Sequence, residues 1–245
     1  VLGRTHALSG AVAVLALTPL LRDHGVTVDS WAVPVAAVTA AGAAVLPDFD
    51  HADATPARSL GPLTAGLAWC VGLVSGGHRN GTHSFVGLAA FTGLAAHLTN
   101  VGGLPLGLFL SFLFALAAAA LRVTMVRATV GHTLLCLLMG AMLTRGAVLD
   151  SFPAGVVPWA VAIGVTVHLL GDMATVQGCP LFWPVHGHRY NYLALSTDHA
   201  VERHVVGPAL TLAAAWLVVT MAGGVDVLGP ALRTTWHTVQ LVVPG

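Results

Sequence analysis

Residues 31–51 read WAVPVAAVTAAGAAVLPDFDH. From Trp31 to Pro47 there is no ionisable side chain, and then Asp48, Asp50 and His51 follow at once. An uncharged run of this length, built from Ala, Val and Gly, reads as a helix that lies in lipid and packs closely on its neighbours. Pro47 breaks it, because proline has no N–H to donate and its ring collides with the carbonyl four residues back. The polar residues behind Pro47 therefore stand at a helix end, where the membrane meets water.

The rest of the chain agrees with that reading. Of 245 residues, 56% are hydrophobic and 8% charged, against about 25% charged in a soluble domain. The mean hydropathy is +0.83. All ten cations are Arg, the acids are nine Asp and one Glu, and thirteen His outnumber either sign. Zero net charge without basic runs excludes nucleic acid as a partner, since that binding needs clustered cations. The apolar content excludes disorder. Cys70, Cys136 and Cys179 are too scattered for a disulfide framework or a CxxC metal site.

Seven apolar runs are expected to span: Ala7–Leu21, Trp31–Pro47, Phe85–Leu98, Leu104–Leu121, Val130–Val148, Val156–Leu170 and Val205–Ala222. Several fall short of the roughly 20 residues that cross a bilayer, which predicts tilting or local thinning. An eighth run, Thr64–Gly76, has the length of a re-entrant or interfacial helix. The fold expected is all-α: one domain over residues 1–245, a polytopic bundle of six or seven spans with a re-entrant or interfacial helix near 64–76. The only polar stretch before the first run is Gly3–His6, and no small-residue cleavage site follows, so no cleavable leader is expected.

Polar residues collect at span ends: Arg4-Thr5-His6, Asp48 to His51, His78 to Ser84, His168 with Asp172, and Asp198-His199 with Glu202. If 64–76 does not cross, His6 precedes the first span, Asp48 follows the second, His83 precedes the third and Asp172 follows the sixth. Parity then puts all of them on one face of the membrane.

His168 and Asp172 are four apart, so on a helix they share a face and reach one ion. Asp48 and Asp50 project to one side if the backbone there is extended. His78 and His83 flank a Gly-containing turn, with Thr82 and Ser84 placed to orient imidazoles. Ionisable groups at membrane depth are costly and mark function. The combination of His6, Asp48, Asp50, His83, His168 and Asp172 is accordingly read as a metal site, for zinc first and manganese or iron as alternatives. Arg79 and Arg189 are candidate clamps for an anionic oxygen. His24, His97 and His237 read as structural, while His132, His186 and His188 lack a partner at ligand spacing.

The order of these blocks resembles a known family. His6, then Leu46-Pro47-Asp48-Phe49-Asp50-His51, then His78-Arg79-x-x-Thr82-His83-Ser84, then His168-x-x-x-Asp172-x-x-Thr175-x-x-Gly178, then Trp183-Pro184 and Arg189 look like the YdjM-like bacterial inner-membrane, metal-dependent hydrolases. Residues 195–202 resemble the closing block of that family, and this resemblance adds Glu202 as a metal ligand. A looser similarity of ligand order links the chain to the all-helical zinc-dependent phospholipase C and P1 nuclease group. There a further His precedes the final Glu by four; here Asp198 stands in that place, so one or two ions are expected rather than three.

The function expected is hydrolysis, by metal-activated water, of a phosphoester in a phospholipid or lipid-linked substrate. Asp50 would accept the water's proton, His78 would protonate the leaving group, and Arg79 and Arg189 would hold the phosphate. Amide or ester hydrolysis is the alternative chemistry; metal transport and a structural metal staple are the non-enzymatic ones. No G-x-S-x-G elbow is present, which argues against a serine mechanism. Arginines number seven on the site's side against three on the other, and positive-inside then turns the site toward the cytoplasm of the bacterial inner membrane.

Overall fold

A computed structural model describes residues 2–29, 32–58, 61–122, 153–193 and 199–221. Among these residues the regular elements are helical: α1 (Gly3–Asp23), α2 (Ala32–Ala43), α3 (Pro62–Val74), α4 (Phe85–Val101), α5 (Gly103–Leu121), α6 (Val156–Met173) and α7 (Gly207–Met221). Short 3-10 turns cover Pro47–Asp50 and Gly81–His83, and a π turn, Glu202–Val206, leads into α7. Five segments are long and apolar enough to cross a membrane: Gly3–Asp23, Ala32–Asp50, Gly103–Leu121, Val156–Met173 and Glu202–Met221. α4, at 17 residues, is shorter. The expected span Val130–Val148 lies outside the described residues, as do His132, Cys136, Asp198, His237 and the side chain of His199.

The opening stretch forms the middle of the bundle. The segment 32–50 is 72% buried, against 6% for 202–221, and α1, α5 and α6 all pack on α2. Small residues make this close packing feasible. A Cβ on Gly10 or Gly164 would lie 2.6 or 2.5 Å from the Ala40 carbonyl oxygen, and one on Gly42 would lie 2.0 Å from that of Leu113. Backbone thus touches backbone at three points of the core.

Two local expectations are corrected. The first helix begins at Gly3 rather than Ala7, so His6 sits within its opening turns. Glu202 makes this extension favourable: its carboxylate accepts the Leu2 N–H at 2.6 Å, placing negative charge at the helix N-terminus. The backbone at Asp48–Asp50 is also not extended. Pro47 opens a 3-10 turn, in which successive residues advance by about 120°, so the two aspartates diverge.

α3 settles how 64–76 is placed. Asp50, before it, is hydrogen-bonded to His78, Arg79 and Thr82, after it. The chain therefore leaves the centre and returns to it. Thirteen residues of helix reach only about 20 Å, and Leu63, Leu67, Trp69, Leu73 and Val74 on it are exposed, as an interfacial or re-entrant helix requires.

Candidate metal centre

α6 supplies His168 and Asp172, both fully buried. His168 Nδ1 lies 2.8 Å from the Ala44 carbonyl oxygen, which is available because α2 stops just before it and helix-end carbonyls lack an intrahelical partner. A carbonyl only accepts, so Nδ1 carries the proton and Nε2 presents a lone pair.

The 75–84 turn supplies Arg79, Thr82 and His83. Arg79 has φ 59°, in the left-handed region that costs a side-chain-bearing residue and recurs at functional sites. Its N–H donates to Asp50 Oδ2 at 2.9 Å while its Nη2 pairs with Asp172 Oδ2 at 2.8 Å. Thr82 donates to Asp50 Oδ2 at 2.6 Å. Its hydroxyl oxygen is then the acceptor for His83 Nδ1, 3.0 Å away, so that the neutral ring turns its Nε2 lone pair to the centre.

The two Nε2 atoms lie 3.2 Å apart. Asp48 Oδ1 is 3.6 Å from that of His83 and 3.8 Å from that of His168, and Asp172 Oδ2 is 3.6 and 3.7 Å from the same two nitrogens. With zinc–nitrogen bonds near 2.0–2.1 Å, ligands of a tetrahedral ion stand about 3.3 Å apart. Two imidazole Nε2 atoms this close among carboxylates are held by a cation between them, a metal ion or the proton of an N–H···N hydrogen bond. Without a metal the proton takes that place: burial opposes the His83 imidazolium, yet Asp48 and Asp50 outweigh burial and raise its pKa above the usual histidine value. Two overlapping trios, His6–His168–Asp172 and Asp48–His83–His168, could each hold a metal ion. His6 stacks on His168, ring centroids 3.9 Å apart, with Nε2 3.4 Å from Asp172 Oδ1. Gly171 makes room, since a Cβ there would press on the His6 ring at 3.2 Å.

Of the residues picked from sequence, the structure brings together His6, Asp48, His83, His168 and Asp172. Asp50 lies behind His83, its oxygens engaged by His78 Nδ1 at 2.8 Å, the Arg79 N–H and Thr82. His78 is 39% exposed at the rim. Glu202 sits at the start of α1, and Arg189 is exposed on the loop after α6. The Ala44 carbonyl and the Arg79–Asp172 pair were not anticipated; a backbone acceptor leaves no signal in a sequence. Cys179, whose pKa burial pushes up to about 12, belongs to neither trio.

The blocks that build this centre, LPDFDH, HRNGTHS and HLLGD, all fall within a family match. The YdjM inner membrane protein family matches residues 1–121 and 118–229. No curated protein and no solved structure matches the chain. With a match that runs over nearly the whole sequence and a helical bundle apolar enough for a bilayer, the chain is a membrane protein and belongs to the YdjM inner membrane protein family.

Proposed function

We propose that this chain is an integral-membrane, metal-dependent hydrolase that cleaves a phosphoester of a phospholipid or lipid-linked substrate. The observation that carries the reading is the convergence of the His83 and His168 Nε2 atoms between the carboxylates of Asp48 and Asp172. A divalent ion, when bound, lowers the pKa of a coordinated water to about 7 and polarises a phosphoryl oxygen. Two imidazole nitrogens and two carboxylate oxygens suit zinc, and also manganese or iron. His168 has one lone pair to give, since its Nδ1 is committed to Ala44, which favours one ion over two.

The remaining residues take supporting roles. Asp50 orients His78 directly and His83 through Thr82, as outer partners of ligating histidines do. His78, held at Nδ1 and half-exposed, is left with Nε2 to pass a proton to a leaving group. Arg79 Nη1 is buried without a hydrogen-bond partner, a donor suited to an anionic oxygen. Arg189 offers a second cation from the loop. Glu202 fixes the start of α1 and with it His6, one turn on. The site faces the cytoplasmic side of the inner membrane, by the arginine asymmetry.

The test is metal analysis of the purified protein beside His168→Ala and Asp172→Ala, followed by hydrolysis assays on a phospholipid panel. About one ion per chain in the parent, lost in both variants together with hydrolysis, is the expected result. Unchanged metal content in both variants would overturn the ligand set, and metal retained without hydrolysis of any phosphoester would overturn the enzymatic reading.

A further inference from the structure

A groove of about 330 Å³ opens between α3 and α4, next to the centre. Val71 and Val74 of α3 line one side, Val86, Ala90 and Phe91 of α4 the other, and Trp183 also lines it. Among the described residues, the only polar side chains along it, apart from the thiol of Cys70 and the indole N–H, are Ser75 and Thr82. Thr82 is the residue that links Asp50 to His83. The groove is therefore bordered by the turn that carries His83.

This continuity is built into the packing. The Trp183 indole lies against Gly76 and Gly81, where added Cβ atoms would meet it at 3.3 and 2.9 Å. Gly87, in the first turn of α4, is pressed so closely on the same turn that a Cβ would fall 2.5 Å from the carbonyl oxygens of both Gly81 and Thr82. Only glycine permits these contacts, and they seat the groove on the turn itself. From the other direction the groove meets apolar surface: Val74 is 83% and Val86 48% exposed on its rims.

We propose that this groove holds an alkyl chain of the lipid whose phosphate reaches the centre, an inference that rests on the phosphoester reading above. The volume argues for a chain rather than a protein segment. A helix about 10 Å across with a 5.4 Å pitch takes up roughly 400 Å³ per turn, so the groove holds less than one turn, while its size lies at the lower end of small-molecule sites. An occupant drawn from the bilayer must be apolar along its length and polar at one end, which is the order of groove and centre.

The experiment uses the full chain in nanodiscs of phosphatidylethanolamine and phosphatidylglycerol doped with a phospholipid that carries a diazirine in mid-chain. After illumination, adducts are mapped by mass spectrometry. They are expected to concentrate on residues 70–74, 86–91 and 183 over the exposed Leu212 and Trp216 of α7. Ala90→Trp, which fills the groove from an exposed position, should abolish the groove adducts and leave both the α7 adducts and the metal content unchanged. Val86→Phe fills it independently if the first variant does not fold. Adducts spread evenly over α7 and the groove, or groove adducts that survive both variants, would overturn the proposal. A groove without adducts in the parent would overturn it too, and would point to another part of this chain as occupant. Metal-dependent hydrolysis of bis(p-nitrophenyl) phosphate, which has no alkyl chain, is followed alongside. Its absence in the parent with groove adducts intact counts against the phosphoester reading and not against the groove; its persistence in Ala90→Trp alongside lost adducts supports both.

Discussion

Thr82 joins two parts of the centre through one hydroxyl, donating to Asp50 and accepting from His83. Removing an outer partner of a ligating histidine typically costs 10- to 100-fold in metal affinity. Thr82→Val is expected to weaken zinc binding by about that much and Thr82→Ser to restore most of it, measured by competition with a chromophoric chelator. Arg79 should behave oppositely toward the metal. Its guanidinium already occupies Asp172, so Arg79→Gln is expected to hold zinc at least as tightly as the parent. The same variant should lose about 10- to 100-fold in kcat/KM toward a phosphoester, the worth of one charge-assisted hydrogen bond. Equal loss of zinc and activity would show that Arg79 only supports the fold. At this scale the sequence spoke through spacing. His168 and Asp172 share a helix face as their separation requires, and Thr82 beside His83 was readable as an orienting partner. The Asp48–Asp50 pair misled, because the same spacing means one side in an extended strand and two sides in a 3-10 turn. Glu202 took its role from an amide 200 residues away, which no local pattern encodes.

Helix packing here depends on positions where no side chain fits. Gly42→Ala would drive a Cβ to 2.0 Å from the Leu113 carbonyl, and Gly164→Ala to 2.5 Å from that of Ala40. Neither obstacle can yield, since both are backbone in a helix. Overpacking of this kind costs about 1–3 kcal/mol and occasionally more, so both variants should melt well below the parent in detergent. Gly66 and Gly93 lie within α3 and α4, where an added methyl group would meet nothing within 4 Å, and alanine there should leave the melting temperature level or raise it. A fall of similar size in all four would mean that lost flexibility, not contact, is measured. The small residues of 38–44 announced close packing in the sequence, but not which helices would meet there. The length of the 64–76 run pointed to a re-entrant or interfacial helix, and the helix found there is a short one, while the early start of α1 was hidden because its first turn is polar and its stabilising carboxylate comes from the far end of the chain.

Taken as a whole, the molecule directs one end of α1, α2, α4 and α6 toward the same point, since His6, Asp48, His83 and Asp172 meet there. The histidines of the described residues, in a chain with little charge, are thereby divided between those gathered at that point and those at its rim or away from it, such as exposed His24. The loops between α1 and α2 and between α4 and α5 must then lie on the opposite face. Parity conveyed this from the sequence alone, because crossings can be counted without knowing any contact; the direction in which the bundle points depends only on the arginine balance. Both claims can be tested in intact cells with a membrane-impermeant maleimide. Cys70 is exposed and must be replaced by Ser, as must Cys136, whereas Cys179 is buried with its thiol pKa pushed up to about 12 and should not react. In that background Asp53→Cys and Val185→Cys, both at exposed positions near the centre, are expected to label only after permeabilisation, and Thr27→Cys, exposed beyond α1, without it. The reverse pattern would turn the centre to the outer face and keep it whole. Labelling of Asp53→Cys and Val185→Cys from different faces would be incompatible with one shared centre, because the residues that form it follow Asp53's helix end and precede Val185's loop on the same side of the bilayer.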